Sequence, residues 1–449
     1  MLRRRHISVR IILLISLCCL AAFGEDRYLV KVTGDINGLA NRLGLTVVKS
    51  LSGSASGTYV LSSRGGTAQN VLRSLSMETA VNSAEAEKPV RLPGIEAAGA
   101  VHPAGAPAAA SSISSVLIRY YSSLAPSAYV NQPATDVINM DRAHTLATGA
   151  GTVATIDTGV DFTHSVLRDA LTLGWDFVHN LPVGQEQADV NQETTPILDQ
   201  ETTPILDQET TPILDGGTAV ILQQETTPIL DQETTPILDS SMYPAYGHGT
   251  MVAGLIHLVA PDARIMPLRA FGADGSASIS QIVQAIYFAV DRGVNVINMS
   301  FSVKQDSPSL KAALDYAASK GVICVASAGN DGQSTDVWPA AYSSVIGVGA
   351  TNNMGIRSLF SNFGNSLVTL AAPGEGVITT YPRQHYAQVW GTSFSAPMVS
   401  GAASLLLDLN SRTGPALAVK DLSHATAIGQ QLGAGELDLY QACLAAMQK

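Results

Sequence analysis

The sequence predicts an α/β protein of three layers, with a mostly parallel central sheet, preceded by a small α+β domain. From about Asn131 onward, short apolar runs typical of buried strands alternate with helical patterns. Such alternation indicates a parallel sheet covered by helices on both faces. Residues 25–92 instead mix strand-like runs with one helical pattern, which predicts the small domain. A chain of 449 residues has room for both.

Residues 1–24 are typical of a signal peptide. Four arginines precede the apolar run Ile11–Leu20, which is too short to span a bilayer comfortably. Ala22 and Gly24 are the small residues expected before a cut at Glu25. We therefore expect a secreted protein, extracellular or periplasmic. An uncleaved membrane anchor is the alternative.

The remaining elements follow in chain order. Residues 93–130 are rich in Ala, Ser, Gly and Pro, a composition typical of a linker. Residues 131–449 form the predicted main domain. Its strand candidates are Thr152–Ile156, Val294–Met299, Val322–Ala326 and Val345–Val348, and its helix candidates are Thr250–Leu258, Ile279–Asp291, Ser309–Lys320 and Ser393–Leu409.

An octapeptide, QETTPILD, occurs five times within residues 192–239, and a degenerate copy lies between the third and fourth. Each full unit contains a proline, which excludes a continuous helix, and eight residues are too few for most solenoid repeats. We interpret the run as a flexible, solvated insertion. A surface that binds a partner or guards a cleft is the alternative.

Charge and cysteine usage exclude several classes of protein. The net charge is −11, and the five full octapeptides contribute ten acidic residues. The chain has no basic stripe of the kind that nucleic-acid binding requires. Two of the four cysteines lie in the signal peptide, which leaves Cys324 and Cys443. This is neither a disulfide scaffold nor a thiolate metal site, although a disulfide between these two stays open.

The motif VATIDTGVD places Asp157 directly after an apolar strand. A carboxylate there lies at the carboxyl edge of the predicted sheet, where functional residues of such sheets gather. The DTG tripeptide also occurs in aspartic proteases. That alternative requires a second aspartate motif in a matching lobe, and the sequence has none. A simple turn after a strand is the other alternative.

The motif YGHGTMVAGL places His248 between two glycines, just before an apolar helical pattern. The glycines let the backbone approach closely and leave the imidazole unobstructed. The positive end of a helix disfavours the imidazolium form, which suits a base that is neutral near physiological pH. A histidine with a purely structural role is the alternative.

The motif WGTSFSAPMVSGAASLLLDL places Ser393 at the start of a nearly all-apolar helix. Such a helix is buried, so its first turn faces a site rather than bulk water. The unsatisfied N–H groups and dipole of the helix favour an oxyanion there. An N-cap serine is the alternative.

Asp157, His248 and Ser393 follow one of the known orders of the Asp-His-Ser catalytic triad. A fourth motif, VASAGND, ends a predicted strand near Asn330, whose side-chain amide is suited to stabilise an oxyanion. His248 follows Asp157 by 91 residues, of which the repeat accounts for 48. The repeat is therefore an insertion after the aspartate strand.

With these motifs, the sequence resembles the subtilisin-like serine proteases, or subtilases, from about Tyr129 to Gln441. The segments APDARIMPLRAFGADGSAS, VNVINMSFS, LAAPGEGVITTYP and GAGELDLYQA also carry the resemblance. It implies that Asp157 orients His248, that His248 is the general base, and that Ser393 is the nucleophile. Asn330 and the Ser393 N–H would form the oxyanion hole. Residues 25–92 resemble the inhibitor propeptide of these enzymes.

The resemblance further implies a secreted endopeptidase that processes itself from a zymogen, with polypeptide substrates and its own propeptide as intramolecular inhibitor. We expect a monomer whose chemistry needs no cofactor. Structural calcium is usual in the family, but no ligand set is evident. The expected substrate-binding residues are Ser300, Phe301, Ser302, Ser327, Ala328 and Gly329.

Two positions depart from the common family pattern. Met251 replaces a frequent histidine, and Ser302 lies where many members have glycine. Ser302 is expected to narrow the side-chain pocket and to disfavour large aromatic residues before the cut.

A different class of protein is the rival. In that interpretation the chain is a secreted binding or surface protein whose repeat is the functional part, and the protease fold is inactive or cuts only its own propeptide. The presence of Asp157, His248, Ser393 and Asn330 together favours an active enzyme.

Overall fold

The computed structural model describes residues 26–92, 116–187, 189, 219–223, 227–228, 243–429 and 431–448. The chain divides into two compact units. The first comprises residues up to Ser52 together with Ser56–Glu87, and the second comprises Gly53–Ala55 and Lys88–Lys449. The predicted signal peptide lies outside the described residues.

The first unit is an antiparallel sheet with two helices. The α+β class agrees with the prediction, although the sequence pattern indicated only one of the two helices, α2. The strand order is β2-β3-β1-β4. Apolar residues from both element types, among them Tyr28, Leu39, Leu61 and Leu75, form its core. The elements are β1 Asp26–Val32, α1 Ile36–Leu43, β2 Leu45–Ser50, β3 Thr58–Ser63, α2 Ala68–Met77 and β4 Val81–Ala86.

The second unit is built on an eight-stranded sheet of order β10-β9-β13-β8-β15-β16-β17-β18. All neighbouring strands are parallel except the short β9–β10 pair. The strands of this unit are β5 Pro89–Arg91, β6 Leu117–Tyr120, β7 Ser123–Pro126, β8 Thr152–Asp157, β9 Trp175–Asp176, β10 Leu181–Pro182, β11 Ala219–Gln223, β12 Thr227–Pro228, β13 Arg264–Arg269, β14 Ser276–Ser278, β15 Val296–Met299, β16 Ile323–Ser327, β17 Val345–Thr351, β18 Leu370–Pro373, β19 Glu375–Tyr381 and β20 His385–Trp390.

Helices cover both faces of this sheet. From β8 the chain moves to one side through α6 into β13, and then to the other side through α7 and α8 into β15 and β16. Because such crossovers are right-handed, this reversal puts α6 and the α7–α8 pair on opposite faces. The helices are α3 Ser127–Val130, α4 Pro133–Val137, α5 Met140–Ala143, α6 His248–Val259, α7 Ile279–Asp291, α8 Pro308–Ser319, α9 Thr392–Leu409, α10 Pro415–Leu422 and α11 Leu439–Met447.

Helices α6 and α9 are packed closely together inside the protein. Every residue of α6 is buried, and so are the first sixteen residues of α9. A Cβ on Gly401 would lie 2.7 Å from the Val259 Cβ, so only glycine permits this approach of the two helices. The contact fixes the position of α6 relative to α9, and therefore of their first turns, where His248 and Ser393 lie.

The structure differs from the predicted linker at residues 116–130. These residues form the β6–β7 hairpin and α3, and Tyr120 and Tyr129 are buried in the core of the second unit. The Tyr129 hydroxyl donates to the Gly254 carbonyl of α6 at 2.7 Å. The linker expectation was wrong here because two buried aromatic anchors outweigh the average composition of the stretch. Residues 93–115 lie outside the described residues.

Most of the octapeptide run also lies outside the described residues, so its expected flexibility stays a prediction. Two short parts are strands. β11 pairs in parallel with β20, and it pairs with β12 in an antiparallel hairpin.

The two cysteines left after the signal peptide are buried and free, so the disulfide that the sequence left open is not formed. Burial raises the pKa of each thiol to about 12, which makes both poor nucleophiles. No helix in the part of the chain that the structure describes has the length and apolar character that crossing a membrane requires.

Candidate active site

The carboxyl ends of neighbouring parallel strands bring the predicted site residues to one edge of the sheet. Asp157 is the last residue of β8, Ser300 follows β15, and Ser327 ends β16. These three strands are adjacent in the sheet. Residues far apart in sequence therefore share one edge, beyond which ligands bind in sheets of this type.

Asp157 and His248 form a buried hydrogen-bonded pair. The imidazole Nδ1 lies 2.7 Å from Asp157 Oδ1, which also accepts from the Thr158 N–H at 2.8 Å. A carboxylate can only accept, so Nδ1 carries the proton and Nε2 is the basic nitrogen. Both side chains are almost inaccessible to solvent. The aspartate thus fixes the tautomer that a general base requires.

His248 is the first residue of α6, and Gly247 before it has a φ of +93°. A Cβ on Gly247 would collide with the Tyr381 ring, so the residue needs to be glycine for both reasons. Its left-handed turn places the imidazole at the helix start, facing Asp157.

Ser393 lies in the first turn of α9, where Gly391 has a φ of +147°. The Ser393 hydroxyl donates to the Ser300 carbonyl at 3.1 Å, and the Ser300 hydroxyl donates to the Ser393 carbonyl at 2.8 Å. This reciprocal pair fixes the start of α9 at the carboxyl end of β15. The Phe394 ring packs against the His248 imidazole with centroids 5.6 Å apart. The serine and the histidine therefore lie at two adjoining helix starts.

Asn330 follows β16 and contacts the residue before Ser393. Its Oδ1 accepts from both the N–H and the hydroxyl of Thr392, each at 2.9 Å. These two donors orient the amide so that its Nδ2 group points away from Thr392. An amide N–H held in this way is the donor type that oxyanion holes use.

The other predicted substrate-binding residues lie around the ends of β15 and β16. Ser300, Ser327, Ala328 and Gly329 are buried, and Ser302 is partly exposed. Phe301 is fully buried and packs on Phe271 with centroids 5.1 Å apart.

Sequence reasoning missed two residues at this edge. A Cβ built on Gly329 would lie 2.7 Å from Asn362 Nδ2 and 3.5 Å from both Ser302 Oγ and Val337 Cγ2, so Val337 and Ser302 both lie close to Gly329. Glu186 is fully buried and accepts a hydrogen bond from the Gly247 N–H at 2.6 Å. Neither residue lies in a periodic pattern or a motif, so no sequence signal marks them.

No carboxylate cluster that would identify a structural calcium site is present among the described residues. Within the described ranges, no group of three or more His, Cys, Asp or Glu residues is placed to hold a metal. The buried acid Asp176 instead pairs with the buried Arg269 guanidinium at 2.9 Å, and Asp189 contacts the same guanidinium. Calcium binding stays a prediction without assigned residues.

Comparison with known proteins gives one family and several relatives. The model of the subtilase family, Peptidase_S8, matches residues 149–441. A thermophilic serine proteinase from Bacillus sp. (strain AK1) is 33% identical over 254 residues, which are 57% of this chain and 51% of that protein. Subtilisin BL from Lederbergia lenta is 40% identical over 173 residues, which are 36% of this chain and 64% of that protein.

Among solved structures, fervidolysin from Fervidobacterium pennivorans, described as a keratinolytic enzyme related to subtilisin, has a TM-score of 0.66 at 21% identity. The match covers 95% of this chain and 61% of that one. At this identity the likeness shows the fold, which is the expected three-layer arrangement. The matches span between about half and two thirds of the length of these relatives.

Proposed function

Because this chain belongs to the subtilase family, we propose that it is a secreted serine endopeptidase, made as a self-processing zymogen. The observation that carries the proposal is the buried hydrogen bond of 2.7 Å between His248 Nδ1 and Asp157 Oδ1. This bond supports a proton-accepting Nε2 on His248. His248 begins α6, whose start adjoins the start of α9, where Ser393 lies.

The proposed mechanism uses three side chains in sequence. His248 Nε2 takes the proton of the Ser393 hydroxyl as its oxygen attacks the carbonyl carbon of the peptide bond. The negative charge that develops on the carbonyl oxygen is stabilised by the Asn330 amide and the Ser393 N–H. His248 then gives its proton to the leaving amine, and water hydrolyses the acyl-enzyme by the same steps in reverse order.

Exclusion of water supports this chemistry. Asp157, His248 and Ser393 are each at most 1% exposed. In such surroundings a fixed donor or charge acts more strongly than in water, because less solvent screens it. Asp157 thereby stabilises the imidazolium that forms when His248 takes the proton.

The zymogen proposal is supported by the segment that ends the predicted propeptide. β5 pairs with β14 in antiparallel register, and the Leu92 N–H donates to the Gly275 carbonyl at 2.9 Å. Addition of an extended segment to a strand edge is a common mode of peptide recognition. We propose that residues 25–92 inhibit the enzyme and that the first cut falls within residues 93–115, since residues 116–130 are part of the folded second unit.

Secretion is proposed from the N-terminal sequence alone, through cleavage of residues 1–24 before Glu25. The mature enzyme is proposed to act as a monomer on polypeptide substrates.

Side-chain preference is proposed from the side chains that surround Gly329. Ser302 and Val337 both lie close to Gly329, where we propose that the side chain before the cut is bound. Small aliphatic residues should therefore be preferred there, and the Ser302→Gly/Val337→Gly double variant should accept phenylalanine. We expect its kcat/KM for Phe substrates to rise about tenfold or more, the scale for added room in an apolar pocket. A peptide library measured with both enzymes checks this. A strong preference of the wild type for Phe or Tyr would refute the pocket assignment.

The repeat is proposed to be a tolerated insertion. Deletion of residues 192–239 should leave casein hydrolysis within about twofold of the wild type, because the entropy of loop closure grows only logarithmically with length. β20 loses its partner β11 but keeps β19. Complete loss of folding or activity in the deletion variant would show that the repeat is essential.

One experiment separates the proposed enzyme from the rival binding protein. The purified secreted protein is tested for casein hydrolysis and treated with a fluorophosphonate, and the modified residue is identified by mass spectrometry. We expect casein to be cut and Ser393 to be modified. Binding of a cell-surface partner through the repeat, without cleavage of any peptide in trans, would favour the rival.

A further inference from the structure

Glu186 connects the two elements that carry the proposed catalytic pair. Its carboxylate is fully buried and accepts three hydrogen bonds. Oε1 accepts from the Thr158 hydroxyl at 2.7 Å and from the Gly247 N–H at 2.6 Å, and Oε2 accepts from the Thr250 hydroxyl. Thr158 follows Asp157 directly, and Gly247 and Thr250 flank His248. The donors thus come from both sides of the pair.

The two threonine hydroxyls that Glu186 orients each link one element to the other. Thr158 Oγ1 accepts from the Gly249 N–H of α6 at 2.9 Å, and Thr250 Oγ1 accepts from the Asp161 N–H at 2.9 Å. Each hydroxyl therefore accepts from the opposite element and donates its proton to Glu186. A single carboxylate completes both links.

The backbone around Glu186 leaves little room for alternatives. The Val160 N–H donates to the Gly184 carbonyl at 3.0 Å, and the Glu186 N–H donates to the Val160 carbonyl at 3.4 Å. A Cβ on Gly159 would lie 2.9 Å from the Glu186 nitrogen, and a Cβ on Gly249 would overlap the Gly159 carbonyl. Three stretches of main chain are thus in direct contact, which fixes the glutamate relative to both catalytic elements.

We propose that Glu186 is a positioning residue, which holds the Asp157 turn against the first turn of the His248 helix through Thr158, Gly247 and Thr250. The proposal rests on the proposed function, since it concerns the geometry of that site. Glu186 has no contact with the reacting atoms in this role. It acts by keeping Asp157 Oδ1 within hydrogen-bonding distance of His248 Nδ1.

A carboxylate suits this role better than an amide. Three donors converge on its two oxygens, and an ionised carboxylate is acceptor-only. Glutamine would turn an NH₂ group toward one of these donors, and a protonated glutamic acid would turn an O–H toward one of them. In either case two donors would face each other. Burial raises the pKa of Glu186 to about 7, against the lowering effect of the three donors. The titratable groups that face it are Asp157, Tyr246 and Tyr381.

The test is Glu186→Gln in the secreted protein. We expect kcat for a peptide substrate to fall about ten- to one-hundredfold, the scale on which small misplacements act, with KM within about twofold. The rate of Ser393 modification by a fluorophosphonate is measured against pH. Its midpoint should move to lower pH, because the substitution removes a negative charge that is hydrogen-bonded to Gly247, the residue before His248.

Glu436→Gln is the matched control. Glu436 is also a buried glutamate whose pKa is raised to about 7 by burial, but its carboxyl group faces Thr351 and its main chain pairs with Thr426 and Ala371. This variant should keep the wild-type kcat and midpoint. If Glu186→Gln does not fold, Thr250→Val provides the second test, since it removes one donor and keeps the charge. It should lower kcat with KM retained.

The outcomes separate the two proposals. A wild type whose Ser393 is not modified would overturn the proposed function, and the positioning role with it. A modified wild type, together with a folded Glu186→Gln variant of unchanged kcat and midpoint, would overturn the positioning role alone. Equal losses in Glu186→Gln and Glu436→Gln would overturn it as well, because they would show a general effect of neutralising a buried glutamate.

Discussion

Ser393→Ala should abolish casein hydrolysis and leave the secreted chain at full length. The proposed nucleophile is the Ser393 hydroxyl, and alanine removes it without adding volume. Loss of the serine nucleophile in subtilisin lowers kcat by about 10⁶-fold. The activity that remains after a loss of that size would be undetectable in a casein assay. If self-processing uses the same serine, the propeptide also stays attached. A protease assay and a gel of both proteins measure the two effects together.

Ser395→Ala is the control for this variant. Ser395 lies two residues further along α9 and is equally buried. The variant should shorten and cut casein as the wild type does. If Ser393→Ala also shortened and cut casein, the triad assignment would be wrong. If the wild type shortened but cut nothing in trans, the activity would serve only its own maturation.

Asp157→Asn should lower kcat by about 10⁴-fold while the protein still folds. The substitution replaces one carboxylate oxygen with an NH₂ group of similar size, and this amide can donate to His248 Nδ1. The ring would then carry its proton on Nε2, which could no longer accept the proton of Ser393. KM should change much less than kcat, because Asp157 makes no proposed contact with substrate. Peptide kinetics and circular dichroism of the variant check both statements.

Asp262→Asn is the control for this second variant. Asp262 is an exposed acid that accepts from the Thr148 hydroxyl, away from the site. The variant should retain wild-type kcat. An Asp157→Asn variant with kcat within about tenfold of the wild type would contradict the role of Asp157 in fixing the tautomer.

The four helices and four strands that the sequence predicts in the second unit are all present. The predicted helix 279–291 has the observed bounds, and the ends of the other three predicted helices lie within two residues of those of α6, α8 and α9. Apolar periodicity and cap residues carry this information locally, as the capping box of Ser278 and Gln281 in α7 illustrates. The order of the chemical motifs was equally readable, because each occupies a short contiguous segment.

Other elements were not predicted because their signals are weak or not local. β13 contains Pro267 and is buried, so its sequence shows no alternation. The β6–β7 hairpin lies in a stretch of linker-like composition and is held by Tyr120 and Tyr129, whose partners are in α6. Sequence patterns within one segment cannot show a contact with another.

By itself the sequence determined the α/β class, the family and the residue types of the proposed triad, because strand and helix periods and short motifs are local properties of a chain. The tertiary structure decided which residues meet. It brings His248 Nδ1 to 2.7 Å from Asp157 across 91 residues of sequence. It also places Val337 beside Ser302, and Glu186 between the two catalytic elements. These contacts depend on strand order, on right-handed crossovers and on glycines that permit close approach of backbones, and none of these is encoded within a single segment.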